Sequence, residues 1–349
     1  MTRLNKLTEA MKQVGVENLF VTSLSDIYYL TGFTGSTAYL FVSSDGVRFV
    51  SDGRYETQAQ GEVEAGIDIE IVKDYKRALA DYVDGLDRIT VTYDCKLQDY
   101  EYLSDNLKDV NIDNNGMIDK LRAVKDEGEL VKLREMFSCA NTAFEVSLDS
   151  FKPGLKEVFW AAELEKNMKM AGSKMPSFET IVGSGERGAL PHGVASEKIV
   201  GAGDAVVVDF GCKREYCSDV TRLVKTGADT EVDEIADIVY TALSKAKDAV
   251  RVGVKCSDID AVARDYIESK GYGDYFNHGL GHGVGIDVHE KPVFSPRDET
   301  VLEKNMVLTI EPGIYLPGRF GVRLEDTIVV ENDGCENLTT VFDKYVYEV

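Results

Sequence analysis

The stretch Val206-Val207-Val208-Asp209-Phe210-Gly211, followed by Cys217-Ser218-Asp219-Val220-Thr221-Arg222, decides how the chain is read. Taken as two strands of a hairpin whose turn centres on Arg214, it sets Asp209 directly opposite Asp219. Opposed residues on one face of a strand pair have Cβ atoms about 4.5–5.5 Å apart. Two like charges at that distance repel, at a cost that a low dielectric magnifies, and a bound cation relieves them. The arrangement recurs further on. Leu308-Thr309-Ile310-Glu311-Pro312-Gly313 and Val322-Arg323-Leu324-Glu325-Asp326 flank Pro317-Gly318-Arg319-Phe320, which has good turn chemistry. A turn centred on Gly318 sets Glu311 opposite Glu325.

Outward from these hairpins, the pattern reads as one plan used twice. Two helices, roughly 127–148 and 156–171, precede the first strand pair, 205–212 and 216–224. Two more follow. One starts at Thr230, with Asp233 three residues on as a near capping box, and buries Val232, Ile235, Val239, Leu243 and Val250. The other runs from Ser257 to Gly271, with Ile259, Val262 and Ile267 as its apolar residues. The second strand pair, 306–315 and 322–330, closes the plan. Helix, helix, hairpin, twice over, gives two related halves with a site between them.

The residues before this region alternate short strands and helices. Strand-like runs lie at 19–21, 38–42, 47–50, 67–72 and 89–93, with Asp45-Gly46 as a hairpin turn. A helix over 74–86 has Tyr75, Leu79, Tyr82 and Val83 on one face. The composition turns polar and charged over 116–127, so the expected domains are 1–122, a compact α/β unit, and 123–349.

The chain has only four histidines, His192, His278, His282 and His289, and three of them fall within twelve residues. Such clustering points to a metal or acid–base site. Glycines at 279, 281 and 283 make a helix there improbable, because each costs about 1 kcal/mol relative to alanine. The segment instead reads as a close-approach loop running into a strand over 284–289, with His282 on the metal and the other histidines donating hydrogen bonds. One imidazole and four carboxylates suit a pair of Mn, Co, Zn or Fe(II) ions about 3.5–4 Å apart.

Composition bounds the alternatives. Across 349 residues, 39 lysines and arginines face 61 aspartates and glutamates, a net charge of −22. Phosphate binding needs a basic surface, so nucleic acid is not an expected partner. No apolar run approaches the roughly 18 residues that span a bilayer, so no membrane association is expected. Met1-Thr2-Arg3-Leu4-Asn5-Lys6-Leu7 lacks the apolar stretch of a secretory signal. The six cysteines, at 95, 139, 212, 217, 256 and 335, show no C-x-x-C spacing and suit free thiols in a reducing cytoplasm.

Seven motifs carry a resemblance. They are Leu190-Pro191-His192-Gly193, Val208-Asp209-Phe210-Gly211, Ser218-Asp219-Val220-Thr221-Arg222, the run 278–285, Val288-His289-Glu290, the run 309–315 and Arg323-Leu324-Glu325-Asp326. In this order the chain resembles the pita-bread peptidases, which include methionine aminopeptidase, Xaa-Pro aminopeptidase, prolidase and the metal-free creatinase. Tyr29-Leu30-Thr31-Gly32-Phe33-Thr34-Gly35-Ser36 and Asp52-Gly53-Arg54-Tyr55 resemble the N-terminal domain of bacterial Xaa-Pro aminopeptidases.

The resemblance implies an α+β protein, with an N-terminal creatinase-like α/β domain followed by a pita-bread catalytic domain of pseudo-twofold plan. It implies Asp209, Asp219, His282, Glu311 and Glu325 as metal ligands, and two divalent ions per subunit, manganese first, with cobalt, zinc or iron as alternatives. It implies a homodimer. The intact ligand set argues against a creatinase or a retired interaction module, and the extra domain argues against methionine aminopeptidase. What remains is metal-dependent hydrolysis of the Xaa-Pro bond at the N-terminus of peptides with proline second, with prolidase as the alternative. The expected nucleophile is a metal-bridged hydroxide. Glu311 would shuttle its proton, His192, His278 and His289 would hold the substrate and its oxyanion, and Arg323 would orient a ligand carboxylate or bind substrate. A dipeptidase must also neutralise the substrate's carboxylate, for which Arg297, Arg319 and Arg323 are candidates.

Overall fold

Residues 2–114 and 116–349 are described in the computed structural model, and the chain falls into two units, Met1–Arg122 and Ala123–Val349. In the first, β1 (Asn18–Val21), β2 (Tyr39–Ser43), β3 (Gly46–Asp52), β4 (Asp68–Val72), β5 (Arg88–Val91) and β6 (Asp109–Ile112) form one sheet, in the order β4-β3-β2-β1-β5-β6. Its β2–β3 hairpin turns through Ser44 and Asp45, with Ser43 opposite Gly46. The helices are α1 (Arg3–Val14), α2 (Leu24–Thr31), α3 (Glu56–Glu62), α4 (Tyr75–Val83), α5 (Leu97–Asn106) and α6 (Met117–Ala123). On α4 the apolar stripe buries Leu79 and Val83, with Tyr75 and Tyr82 packed at its margin.

The second unit opens with α7 (Glu127–Leu148) and α8 (Glu157–Met170). A capping box starts α7. The Asp126 side chain accepts from Glu129 N and the Glu129 side chain accepts from Asp126 N, satisfying donors that a bare helix end leaves open. Short strands β7 (Met175–Pro176) and β8 (Ile181–Ser184) lead to the first hairpin, β9 (Ala205–Phe210), β10 (Cys212–Lys213) and β11 (Val220–Lys225). Then come α9 (Thr230–Ala249) and α10 (Cys256–Ser269). The cap of α9 is Asp229 rather than Thr230: its carboxylate accepts from Glu231 N and Val232 N, which a side chain one position later cannot reach. Val232, Ile235, Val239, Leu243 and Val250 are buried as expected, but on α10 Ala263 takes the fully buried place and Val262 stays half-exposed.

The remaining strands are β12 (Gly281–Gly283), β13 (Glu290–Phe294), β14 (Val307–Ile310), β15 (Gly313–Leu316), β16 (Phe320–Arg323), β17 (Asp326–Glu331), β18 (Gly334–Asn337) and β19 (Val346–Glu348). One sheet runs β19-β11-β9-β8, another β13-β12-β14-β17-β18, and β15 pairs with β16. Helix, helix and strand pair thus occur twice in order. The strand expected over 284–289 is not there. His282 itself lies in a strand, β12, and residues 284–289 form the loop before β13, whose pairing with β12 shifts register between His282 and Gly283.

Both hairpin registers can be compared with expectation. In the second, Gly313 pairs with Arg323 and Ile310 with Asp326. Its turn therefore centres on Gly318, and Glu311 faces Glu325 in the gap between the two ladders. In the first, Asp209 pairs with Thr221, not Asp219. Hydrogen bonds from Ser218 N to Cys212 O and from Arg214 N to Tyr216 O carry that register to the tip, so the turn centres on Glu215. A shift of one residue at the turn moves every partner by two, which keeps the same sheet face. Asp219 becomes the diagonal neighbour of Asp209, opposite Gly211. A Cβ at Gly211 would sit 1.9 Å from Ser218 O, and one at Gly281 would sit 2.0 Å from Thr309 O, so neither close approach admits a side chain.

A buried carboxylate braces the loop that precedes β9. Glu157, fully buried at the start of α8, accepts from Ser184 N (2.8 Å) and Oγ (2.7 Å), Arg187 Nε (2.9 Å), and Ser196 N (3.0 Å) and Oγ (2.6 Å). Five donors converge on one side chain. We expect Glu157→Ala to lower unfolding stability by about 3 kcal/mol or more, because the donors are left unpaired and Arg187 loses its counter-charge. Glu157→Gln should cost less. A denaturant midpoint within error of the parent for Glu157→Ala would contradict this account.

Candidate metal centre

Strand register fixes which side chains meet. Asp209 is the penultimate residue of β9, Asp219 precedes β11, His282 lies in β12, Glu311 follows β14 and Glu325 precedes β17. Asp209, Asp219 and Glu325 are buried, and their carboxylate oxygens lie within 4.8 Å of one another. His282 Nε2 lies 3.5 Å from Asp219 Oδ2 and 3.2 Å from Glu311 Oε1. All five expected ligands therefore converge on one cleft of about 520 Å³ or its floor.

Three observations fit this set to a cation. Asp209 Oδ1 and Glu325 Oε1 are buried without a hydrogen-bond partner among the described residues, an arrangement that costs free energy unless something positive meets them. His282 Nδ1 lies 3.1 Å from Gly283 O, so that nitrogen carries the proton and Nε2 turns a lone pair toward two carboxylates. Acceptor against acceptor is repulsive unless a proton or a metal lies between. The donor set, oxygen-rich with one imidazole, suits hard to borderline divalent ions.

The titration behaviour follows from the crowding. Burial first, then the charges of Glu325 and Asp209, push Asp219 well above the usual carboxylate range. Burial and the charges of Glu311 and Asp209 do the same to Glu325. Asp209 is raised too, chiefly by burial, with Arg323 pulling the other way. Glu311 differs. Burial raises it, but the hydrogen bond and charge of His282, with His278 and Arg323 behind them, bring it down to about 2. His282 is correspondingly raised, because that pairing outweighs its burial.

Arg323, only 3% exposed, organises one side of the site. Its Nη2 donates to Asp209 Oδ2 (2.5 Å), Nε to Thr221 Oγ1 (3.1 Å), and Nη1 to Pro191 O (2.9 Å) and Tyr315 OH (3.0 Å). Tyr315 OH also meets His278 Nε2 at 3.0 Å, while His278 Nδ1 meets Gly279 O at 2.7 Å. Both ring nitrogens of His278, which lines the cleft, are thus engaged within the protein. His192 and His289 line the cleft without a hydrogen bond among the described residues, and the His289 ring stands edge-on to His282 at 4.3 Å. The expected carboxylate readers are placed elsewhere or already paired. Arg297 is exposed and does not line the cleft, and Arg319 is paired with Glu231.

The sequence reading did not single out Tyr315, Thr221 or Thr309. Thr309 Oγ1 accepts from His282 N (3.0 Å) and donates to Glu311 Oε1 (3.1 Å), joining two ligands. A two-residue spacing from Glu311 on one strand was the available signal. Arg222 was likewise passed over. It is buried, donates from Nη1 to Glu325 O (2.7 Å), and lies over the rings of Phe342 (4.5 Å) and Tyr345 (4.9 Å). Asp326 beside it accepts from Lys247 Nζ (2.6 Å) and Tyr345 OH (2.8 Å).

Comparison with known proteins agrees with this geometry. Residues 131–332 match the model of metallopeptidase family M24, and residues 3–124 match the creatinase/prolidase N-terminal domain. The chain belongs to metallopeptidase family M24 and is a hydrolase. It is 38% identical over 346 residues to the uncharacterized peptidase YqhT of Bacillus subtilis, covering 97% of each. It is 35% identical over 348 residues to an Xaa-Pro dipeptidase of Pyrococcus horikoshii, covering 97% of this chain and 96% of that one. Among solved structures, an Xaa-Pro dipeptidase from Bacillus anthracis superposes with a TM-score of 0.94 at 35% identity over 99% of both chains. An X-Pro aminopeptidase from Thermotoga maritima gives 0.91 at 35% identity over 100% of both. The architecture is accordingly the creatinase-type N-terminal domain followed by the pita-bread catalytic domain.

Metal and protons compete for the same oxygens. Because Asp219 and Glu325 sit above their ordinary range without metal, they hold protons over a pH span in which unfolded carboxylates do not, and metal must displace them. Metal-linked stability should therefore be small in acid and grow as pH rises. The melting temperature of Mn-loaded protein should exceed that of chelator-stripped protein by several degrees near neutrality, about 2.7 kcal/mol at free metal a hundredfold above its Kd. That gap should widen from about pH 5 to about pH 8. A gap that is constant or shrinks would reject the assignment. Glu325→Ala should bind substantially less metal by elemental analysis.

Proposed function

We propose that the protein is an Xaa-Pro aminopeptidase that releases the first residue from peptides with proline second. The observation that carries this reading is the charge inventory of the cleft. A dipeptidase must neutralise its substrate's C-terminal carboxylate, whereas Arg323 is the one lysine or arginine among the described residues lining the cleft, four of its five N–H donors are spent on Asp209, Thr221, Pro191 and Tyr315, and its charge already answers that of Asp209. Apolar Phe178, Val194 and Val293 line the walls instead. Such walls accept a continuing peptide chain and offer no counter-charge to a terminal one.

Asp209, Asp219, His282, Glu311 and Glu325 would hold two divalent cations, manganese first given four carboxylates to one imidazole, supplying Lewis acidity toward the scissile carbonyl and a lowered pKa for water. The protein's own groups do the rest. Glu311 takes a proton from the attacking water at its carboxylate and passes it to the leaving proline nitrogen. That transfer is essential, because the nitrogen of a tertiary amide leaves only once protonated. His192 and His289, which line the cleft without a hydrogen bond among the described residues, would stabilise the negative charge on the carbonyl oxygen. His278 acts through Tyr315, holding Arg323 and hence Asp209 in place.

The printed names of several relatives favour a second reading, Xaa-Pro dipeptidase. In that case His192 or His289 would have to meet the carboxylate. Hydrolysis of Ala-Pro and Ala-Pro-Ala by Mn-loaded protein separates the two. The tripeptide should be cleaved after alanine with kcat/KM at least about tenfold above the dipeptide, since an unneutralised carboxylate in the cleft costs about 1.4 kcal/mol or more. Cleavage confined to the dipeptide would establish the second reading in place of the first. Glu311→Ala should lower kcat about a hundredfold or more while the far-ultraviolet spectrum is unchanged. A parental rate in that variant would remove Glu311 from the proton path.

A further inference from the structure

Resting on the Xaa-Pro reading, one charge of the cleft has no task in the chemistry above. Asp209, Asp219 and Glu311 belong to the cage, and two dications would balance the four cage carboxylates. Glu179 lines the same cleft, is exposed, and takes part in no hydrogen bond or ion pair among the described residues. Its place follows from the sheet. Ile181, the first residue of β8, pairs with Asp209, and Ser177 N donates to Gly211 O at 2.8 Å, so four residue steps answer two on β9 and the chain between bulges through Phe178, Glu179 and Thr180. Glu179 is exposed on that bulge, whereas the cage carboxylates Asp209, Asp219 and Glu325 are buried.

Its exposure selects the kind of group Glu179 can meet. The substrate's α-ammonium is one carbon from the scissile carbonyl and stays with the cage. A long lysine or arginine side chain can leave the cage and reach an exposed carboxylate on the cleft wall. Phe178, half-buried beside Glu179, lines the same wall, so an aliphatic stem would lie on its ring while the cationic head meets the carboxylate. The acidic chain as a whole, at −22, favours approach of such peptides.

We propose that Phe178 and Glu179 form a rim subsite selecting peptides with a basic side chain beside the Xaa-Pro bond. The test is kcat/KM of Mn-loaded protein on Lys-Pro-Ala, Ala-Pro-Lys and Ala-Pro-Ala. At low ionic strength one of the two basic peptides should exceed the neutral one about three- to fivefold, and which one does so places the cation on the first or third residue. The ratio should fall with added salt, because rim charges are screened. Glu179→Gln should bring it to about one, Glu179→Asp should retain part of it, and Glu179→Lys should invert it. A ratio of one in the parent, or an equal ratio in parent and Glu179→Gln, overturns the subsite. Should no Xaa-Pro peptide be turned over, the proposed activity falls on its own. Calorimetric titration of the same peptides then decides the subsite: tighter basic-peptide binding to the parent than to Glu179→Gln upholds it, and equal affinities overturn it.

Discussion

Asp209, Asp219 and Glu325 bring their carboxylate oxygens within 4.8 Å of one another where water is largely excluded, and the second unit is arranged around that repulsion. Two unit charges about 4 Å apart at an effective dielectric near 20 repel by about 4 kcal/mol. The protein answers in two ways. A buried guanidinium stands against Asp209, and the raised proton affinity of Asp219 and Glu325 lets them shed charge when nothing else is bound. Neither answer meets the two unpartnered oxygens on Asp209 and Glu325, and that residual demand defines a cation site.

Holding such a cluster together requires that each hairpin be fastened to the other near its own acidic residue. Arg323 of the second hairpin reaches Thr221 and Asp209 of the first, and Thr327 Oγ1 donates to Asp219 O. In return Arg222 of the first hairpin holds the backbone of Glu325 in the second. These ties are short-range, directional and buried. Relaxing any one of them would allow like charges to separate, which is the direction the electrostatics already favours.

Much of this was legible in the sequence, for reasons that can be stated residue by residue. Gly318 within Pro317-Gly318-Arg319-Phe320 marks its turn because glycine adopts the positive φ, 72°, found there. No such residue stands at the tip of the first hairpin, where Lys213, Arg214 and Glu215 are equivalent to local turn chemistry, and the register slipped by one at the tip. The slip did little harm, since a two-residue partner shift preserves the face. Helix periodicity was likewise readable, while the cap at Asp229 was misplaced by one residue because Thr230 is also a competent capping type. The networks were harder. Tyr315 and Arg222 act through partners far along the chain, at His278 and at Phe342 and Tyr345, and no local pattern announces those pairings.

The position of Arg222 between Glu325 and the rings of Phe342 and Tyr345 orders events during synthesis. Asp209 and Asp219 leave the ribosome about a hundred residues before Glu311 and Glu325 exist, and the aromatic brace behind Arg222 emerges later still. A nascent chain therefore carries half a cage with nothing to close it until Glu311, Glu325 and the rings behind Arg222 have all been made.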